Sequence, residues 1–206
     1  MYGVASDKRI AFRGRIKHFQ RMRFPGNTNT GKGVPARFSF NRLMQLVFAF
    51  ELVQSGLDPS AARSVMSEHW PTLSPAVARS MVRDVYVKRD PLGFPTGELS
   101  FAFYFDGLWS LTVEGDDTVE YYGAVDILPA GELARPYFNP ARSEYSEIDS
   151  PWRVLLIEVS QLVNEVVQRL IATGFQTSRR ELFEDLAQGE SEWEDPYKLE
   201  IARDAF

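Results

Sequence analysis

The stretch of this chain nearest to a chemical motif is GNTNTGKG, running from Gly26 to Gly33. It almost spells G-x-x-x-x-G-K-[ST], the loop whose backbone amides cradle nucleotide phosphates and whose final hydroxyl holds magnesium. Gly33 offers no ligand atom at that final position, and residues 20–25 (QRMRFP) are basic where a buried strand should stand. On both counts an NTPase is rejected. Other reactive types lack the company they need. His18 and His69 fall on different expected helices without metal-ligand spacing, and there is no cysteine, so disulfides and thiolate sites are excluded. Glu114, Asp116 and Asp117 lack the oxygen-ligand register of an EF-hand and read as a solvated turn. Glu144, Glu147 and Asp149 read as a charged loop. Phe101, Phe103, Phe105 and Trp109 alternate as a half-buried strand requires, which favours a sheet core over a ligand pocket. No nucleophile–base pair is recognisable, so no catalytic residue, metal or cofactor is expected.

A second kind of chemistry is electrostatic. Arg13, Arg15, Lys17, His18 and Arg21 cluster within residues 13–21. Residues 1–45 hold ten Lys or Arg against the single acid Asp7, a charge of +9, while residues 46–206 carry −14, giving −5 overall. A basic head on an acidic body points to a polyanionic partner for the head.

The elements that would position these cations follow from period and punctuation. Ile10, Phe12, Ile16 and Phe19 have spacings that suit a helix, which turns residues 13, 17 and 20–21 to one face and buries 12, 16 and 19. A polar loop rich in turn formers follows over 25–35, then a short strand over 36–40. A second helix starts at Ser39 or Asn41 as cap, runs through Leu43, Leu46, Val47, Phe50 and Val53, and ends at Gly56. Asp58-Pro59 opens another helix, cap then first-turn proline, and Ser74-Pro75 repeats that signal for one more.

Residues 15–25 (RIKHFQRMRFP) resemble the end of the recognition helix of the MerR family of regulators, whose pattern is roughly T-L-R-Y-Y-E-R-x-G-[LF]-P. Ile16 takes the Leu position, Lys17 the Arg, His18 and Phe19 the two Tyr, Gln20 the Glu and Arg21 the second Arg, while Arg23 stands where the family has Gly. The resemblance spans about residues 4–70. It implies a winged helix-turn-helix whose first helix lies within Met1–Arg9. A helix in the major groove needs bases for phosphates and polar groups for base edges. Arg13, Arg15, Lys17, His18 and Arg21 supply these, and a glycine-rich wing with Asn27, Asn29, Lys32 and Arg37 can approach the backbone or minor groove.

Farther along, 99–105 alternates like a strand, Asp106-Gly107 signals a tight hairpin returning over 108–113, and 119–128 reads as a third strand. Residues 129–150 read as loop. A long helix is expected over 151–173, with Leu155, Val159, Leu162 and Val166 as a dimerisation seam. A shorter helix is expected near 178–187. The expected fold class is α+β: a winged helix-turn-helix domain over 1–72, then a regulatory and dimerisation domain over 73–206 with a helical connector, a small antiparallel sheet and a long C-terminal helix. The expected function is sequence-specific binding of double-stranded DNA in bacterial or phage transcription control, by a cytoplasmic, nucleoid-associated homodimer without a membrane span. The alternatives are an excisionase-like or small-terminase-like DNA-architectural protein, and an adaptor whose basic head binds an acidic protein.

Overall fold

Helix caps written into the sequence account for most element boundaries in the computed structural model, which describes residues 4–26, 38–82, 99–104, 125–129, 154–175 and 178–188. A 3-10 turn, Ser6–Lys8, leads into α1, Arg9–Arg21. That turn stands in place of a first helix within Met1–Arg9. Then come α2, Phe40–Gln54, and α3, Pro59–Val82. Ser39 caps α2, accepting from the Arg42 amide at 3.3 Å. Because Ser39 is the cap and Phe40 the first helical residue, the short strand expected over 36–40 is not formed at 38–40. Asp58 caps α3 through Ser60 and Ala61, 2.8 and 3.2 Å away, with Pro59 in the first turn as expected.

The helix expected to begin at Ser74-Pro75 is a continuation of α3, which contains both Pro71 and Pro75. Each proline removes a ladder donor from the carbonyl four residues back. Those carbonyls belong to Ser67 and Pro71, both exposed, so solvent can satisfy them. Ser74 is not a cap: it is 0% exposed and its hydroxyl meets no hydrogen-bond partner among the described residues.

Three antiparallel strands, β1 (Leu99–Tyr104), β2 (Val125–Pro129) and β3 (Val154–Glu158), form a sheet in the order β2-β1-β3. Phe101 pairs with Ile127 on one side and Ile157 on the other; Phe103 pairs with Leu155. The rings of Phe101 and Phe103, two residues apart and so on one face, lie 6.3 Å apart and nearly parallel. Ser100 and Ala102 on the other face are buried too, so β1 is covered on both sides rather than half-buried. Both hydrogen-bonding edges of β1 are taken by β2 and β3, while the turn expected at Asp106-Gly107 lies outside the described residues. Phe105, Trp109 and the return over 108–113 lie outside the described residues, as do the acidic loops around Asp116 and Glu147.

The long helix expected over 151–173 is also corrected. Residues 154–158 are β3, and the helix α4 is Val159–Ala172. Five residues with four consecutive aliphatics satisfy a strand or a buried helical turn equally well by period, and pairing with β1 decides for the strand. In α4, Ser160 lies 3.1 Å from Ser80 of α3, hydroxyl to hydroxyl, both buried, and Ser80 donates to the Ala76 carbonyl at 2.8 Å. The last described helix, α5, is Arg179–Gln188. It lies where a short helix was expected and begins with Ser178, whose hydroxyl accepts from the Glu181 amide at 3.2 Å.

The chain is thus α+β, mostly helical with a small antiparallel sheet. It divides into two compact units, Met1–Trp70 with Glu165–Glu194 and Pro71–Asn164 with Asp195–Phe206. The segment bearing α5 belongs to the first unit. Within the first unit α5 packs on α2, and the α2 amide of Phe40 donates to the Asp185 carboxylate of α5.

Candidate nucleic-acid interface

α1 is held by its aromatic side. The Phe12 ring stacks on Phe50 of α2 with centroids 5.4 Å apart, and Phe19 meets the same ring edge-on at 5.4 Å. Phe19 also packs on Phe24 at 5.7 Å. Phe19, Phe24 and Phe50 are buried, while Phe12 and Ile16 are half-buried. The chain leaves α1 through a left-handed closure. Arg23 has φ 59°, its amide donates to the Gln20 carbonyl at 3.0 Å, and the Phe24 amide donates to the Phe19 carbonyl at 3.0 Å. The same pair of bonds closes α2 at Gly56 and α4 at Gly174.

With the aromatic side fixed on α2, the cations take the other side. Arg13, Arg15, Lys17, His18 and Arg21 all lie on α1 and all are exposed, with 12, 16 and 19 turned inward as the period predicts. Arg9 was missed from that set. It is exposed, and it begins a row in which a cation recurs every fourth residue: Arg9, Arg13, Lys17, Arg21. The recurrence was readable in the sequence, but the resemblance assigned Arg9 to a preceding helix. Successive members rise about 6 Å along the axis, and the whole helix is about 20 Å long. α1 carries no acid, and none of the row's members, nor Arg15, pairs with a described carboxylate; Asp7 is 3.5 Å from Lys8. Like charges four residues apart repel by about 0.2–0.5 kcal/mol per pair. The row is therefore an uncompensated line of positive charge that an extended anion would relieve.

The centre of this face is not built for helix stability. Ile10 is 82% exposed. Gly14 sits in the helix interior, where a β-carbon would meet nothing within 4 Å, so no neighbour in the chain demands a glycine. An interior glycine costs about 1 kcal/mol relative to alanine.

The remaining expected site residues are placed elsewhere. Asn27, Asn29, Lys32 and Arg37 lie outside the described residues. Leu155 belongs to β3, while Val159, Leu162 and Val166 belong to α4. Val159 and Val166 are buried, and Leu162 is half-buried. The four do not form one exposed helical seam, because the break between strand and helix falls inside it. His69 is half-buried with Glu68 4.0 Å away. Among the described residues no three His, Asp or Glu converge as a metal site would require, and no helix is long and apolar enough to cross a membrane. No family model matches the chain, and neither does any curated protein or solved structure.

Proposed function

We propose that the protein binds double-stranded DNA, with α1 in the major groove and residues 27–37 as a wing along the backbone. The observation that carries the reading is the row Arg9, Arg13, Lys17 and Arg21 on a helix with no acid, turned outward by aromatic contacts on its opposite side. A duplex supplies a rigid line of phosphates to such a row, and each phosphate neutralised releases counterions. His18, exposed next to Arg21, and Arg15, exposed on the far flank of α1, are the polar groups left for base edges. In this reading α1 corresponds to the recognition helix of the MerR-like winged module, and the function is transcription control at specific sites.

Binding to duplex DNA measured over a range of salt concentrations tests the reading. The affinity of the intact protein should fall steeply with salt. Replacing Arg13, Lys17 and Arg21 together by Ala should remove most of it and lower the salt slope by about three, one per lost phosphate contact. Undiminished binding by the folded triple variant would sink the assignment to α1. Binding to an acidic protein without competition by duplex DNA would move the function to an adaptor.

A further inference from the structure

Resting on that reading, we infer that Ile10 and Gly14 form the apolar part of the base-contacting face of α1: an apolar contact for thymine methyl groups beside a notch that lets the helix backbone approach the groove closely. At 3.6 residues per turn, Ile10, Gly14, Lys17 and Arg21 fall within about 60° of one another, opposite Phe12, Ile16 and Phe19. The strip farthest from the α2 contact is thus an 82%-exposed isoleucine, a position with no side chain, and two cations. Stability would favour other residues here, because exposed helix faces are best filled by Ala, Glu, Lys or Gln. A departure from the local rule with no return inside the fold marks a surface shaped for something outside it.

The groove explains each part. The C5-methyl of thymine is the apolar feature of the major-groove floor, and a branched aliphatic side chain is its complement. Arg9 and Arg13 flank the strip, and Lys17 and Arg21 within it have side chains long enough to bend aside to phosphates at the groove rims, which leaves Ile10 and Gly14 facing the groove floor. At Gly14 the absence of a β-carbon lets the helix axis sit nearer the base edges, within reach of the short branched side chain of Ile10. Phosphate contacts then set affinity, while the Ile10–Gly14 strip sets preference for thymine.

The test uses the full chain and a duplex selected by the wild-type protein from a random-sequence pool. Gly14→Ala should raise Tm by a few degrees and yet weaken binding several-fold. Gly14→Gln, uncharged and helix-compatible, should weaken it at least tenfold with an unchanged salt slope, because the phosphate contacts remain. Wild type should bind a deoxyuridine-substituted copy of the selected duplex more weakly than the thymine form, and Ile10→Ala should lose that discrimination. Equal affinity of wild type and both Gly14 variants, or equal binding of the two duplexes by wild type, would overturn the inference while leaving DNA binding intact. A wild-type protein that binds no duplex overturns the reading on which it rests. If Gly14→Gln does not fold, Gly14→Ala decides alone.

Discussion

Arg23 carries a β-carbon at φ 59°, in the left-handed region where L-residues other than glycine are strained by roughly 1 kcal/mol or more. α2 and α4 make the same closure with Gly56 and Gly174, at φ 105° and 72°. Replacing Arg23 by Gly should therefore stabilise the fold by about 0.5–1 kcal/mol in urea denaturation, once the added freedom of the unfolded chain is counted. Arg23→Ala should give no such gain, since it keeps the β-carbon. Ser74 makes a second residue-scale case. Its buried hydroxyl has no partner among the described residues, so it bears a desolvation penalty without a bond in return from them. Ser74→Ala should leave stability unchanged or raise it by about 1 kcal/mol; a clear loss in thermal denaturation would show that the hydroxyl is satisfied after all. The conformation at 23 was not legible, because an arginine carries no local signal for a left-handed residue. Nor was the burial of Ser74: Ser-Pro is a start signal by local chemistry, and only the packing around α3 shows that the helix was already running.

At the scale of elements, the caps were the most legible feature. Ser39, Asp58 and Ser178 each bond the backbone where the sequence suggested a helix start. Such bonds join groups two or three residues apart, so sequence alone contains both partners. β3 was illegible for the opposite reason. Val154 to Ile157 is an apolar run that either period accommodates, and its partner lies some fifty residues earlier in β1. The two neighbours of β1 were illegible likewise, since no local signal in 99–104 names β2 or β3. The cap that Asp185 of α5 adds at the Phe40 amide is equally non-local. It satisfies a donor of the first turn of α2 and sets a carboxylate at the positive end of that helix. Asp185→Ala should cost about 1 kcal/mol in equilibrium unfolding. Since Ser39 serves the same turn, the Ser39→Ala and Asp185→Ala losses should couple in a double-mutant cycle. Strict additivity would mean that the two caps act separately.

For the whole molecule, the chain does not divide at one point along its length. The unit that presents α1 takes in Glu165–Glu194, so the carboxyl-terminal helix α5 supports the basic end. Of the aliphatic stripe expected to pair two copies, Val159 and Val166 are buried within the chain. Val166→Ala should lower stability by about 2 kcal/mol, as loss of a buried side chain does, without altering the sedimentation of the protein. A shift in association state with no loss of Tm would return that stripe to the surface. The cations of α1 were legible because charge and four-residue recurrence are visible in one dimension; the packing of α5 on α2, which carries α1, was not, because α5 lies far along the chain. The Phe40–Asp185 bond spans 145 residues. At roughly 5–20 residues per second, a ribosome needs about 7–30 s to supply the second partner after the first. For that interval the nascent α2 lacks both its Asp185 cap and the helix that packs on it, so the basic end, made earlier, is finished late.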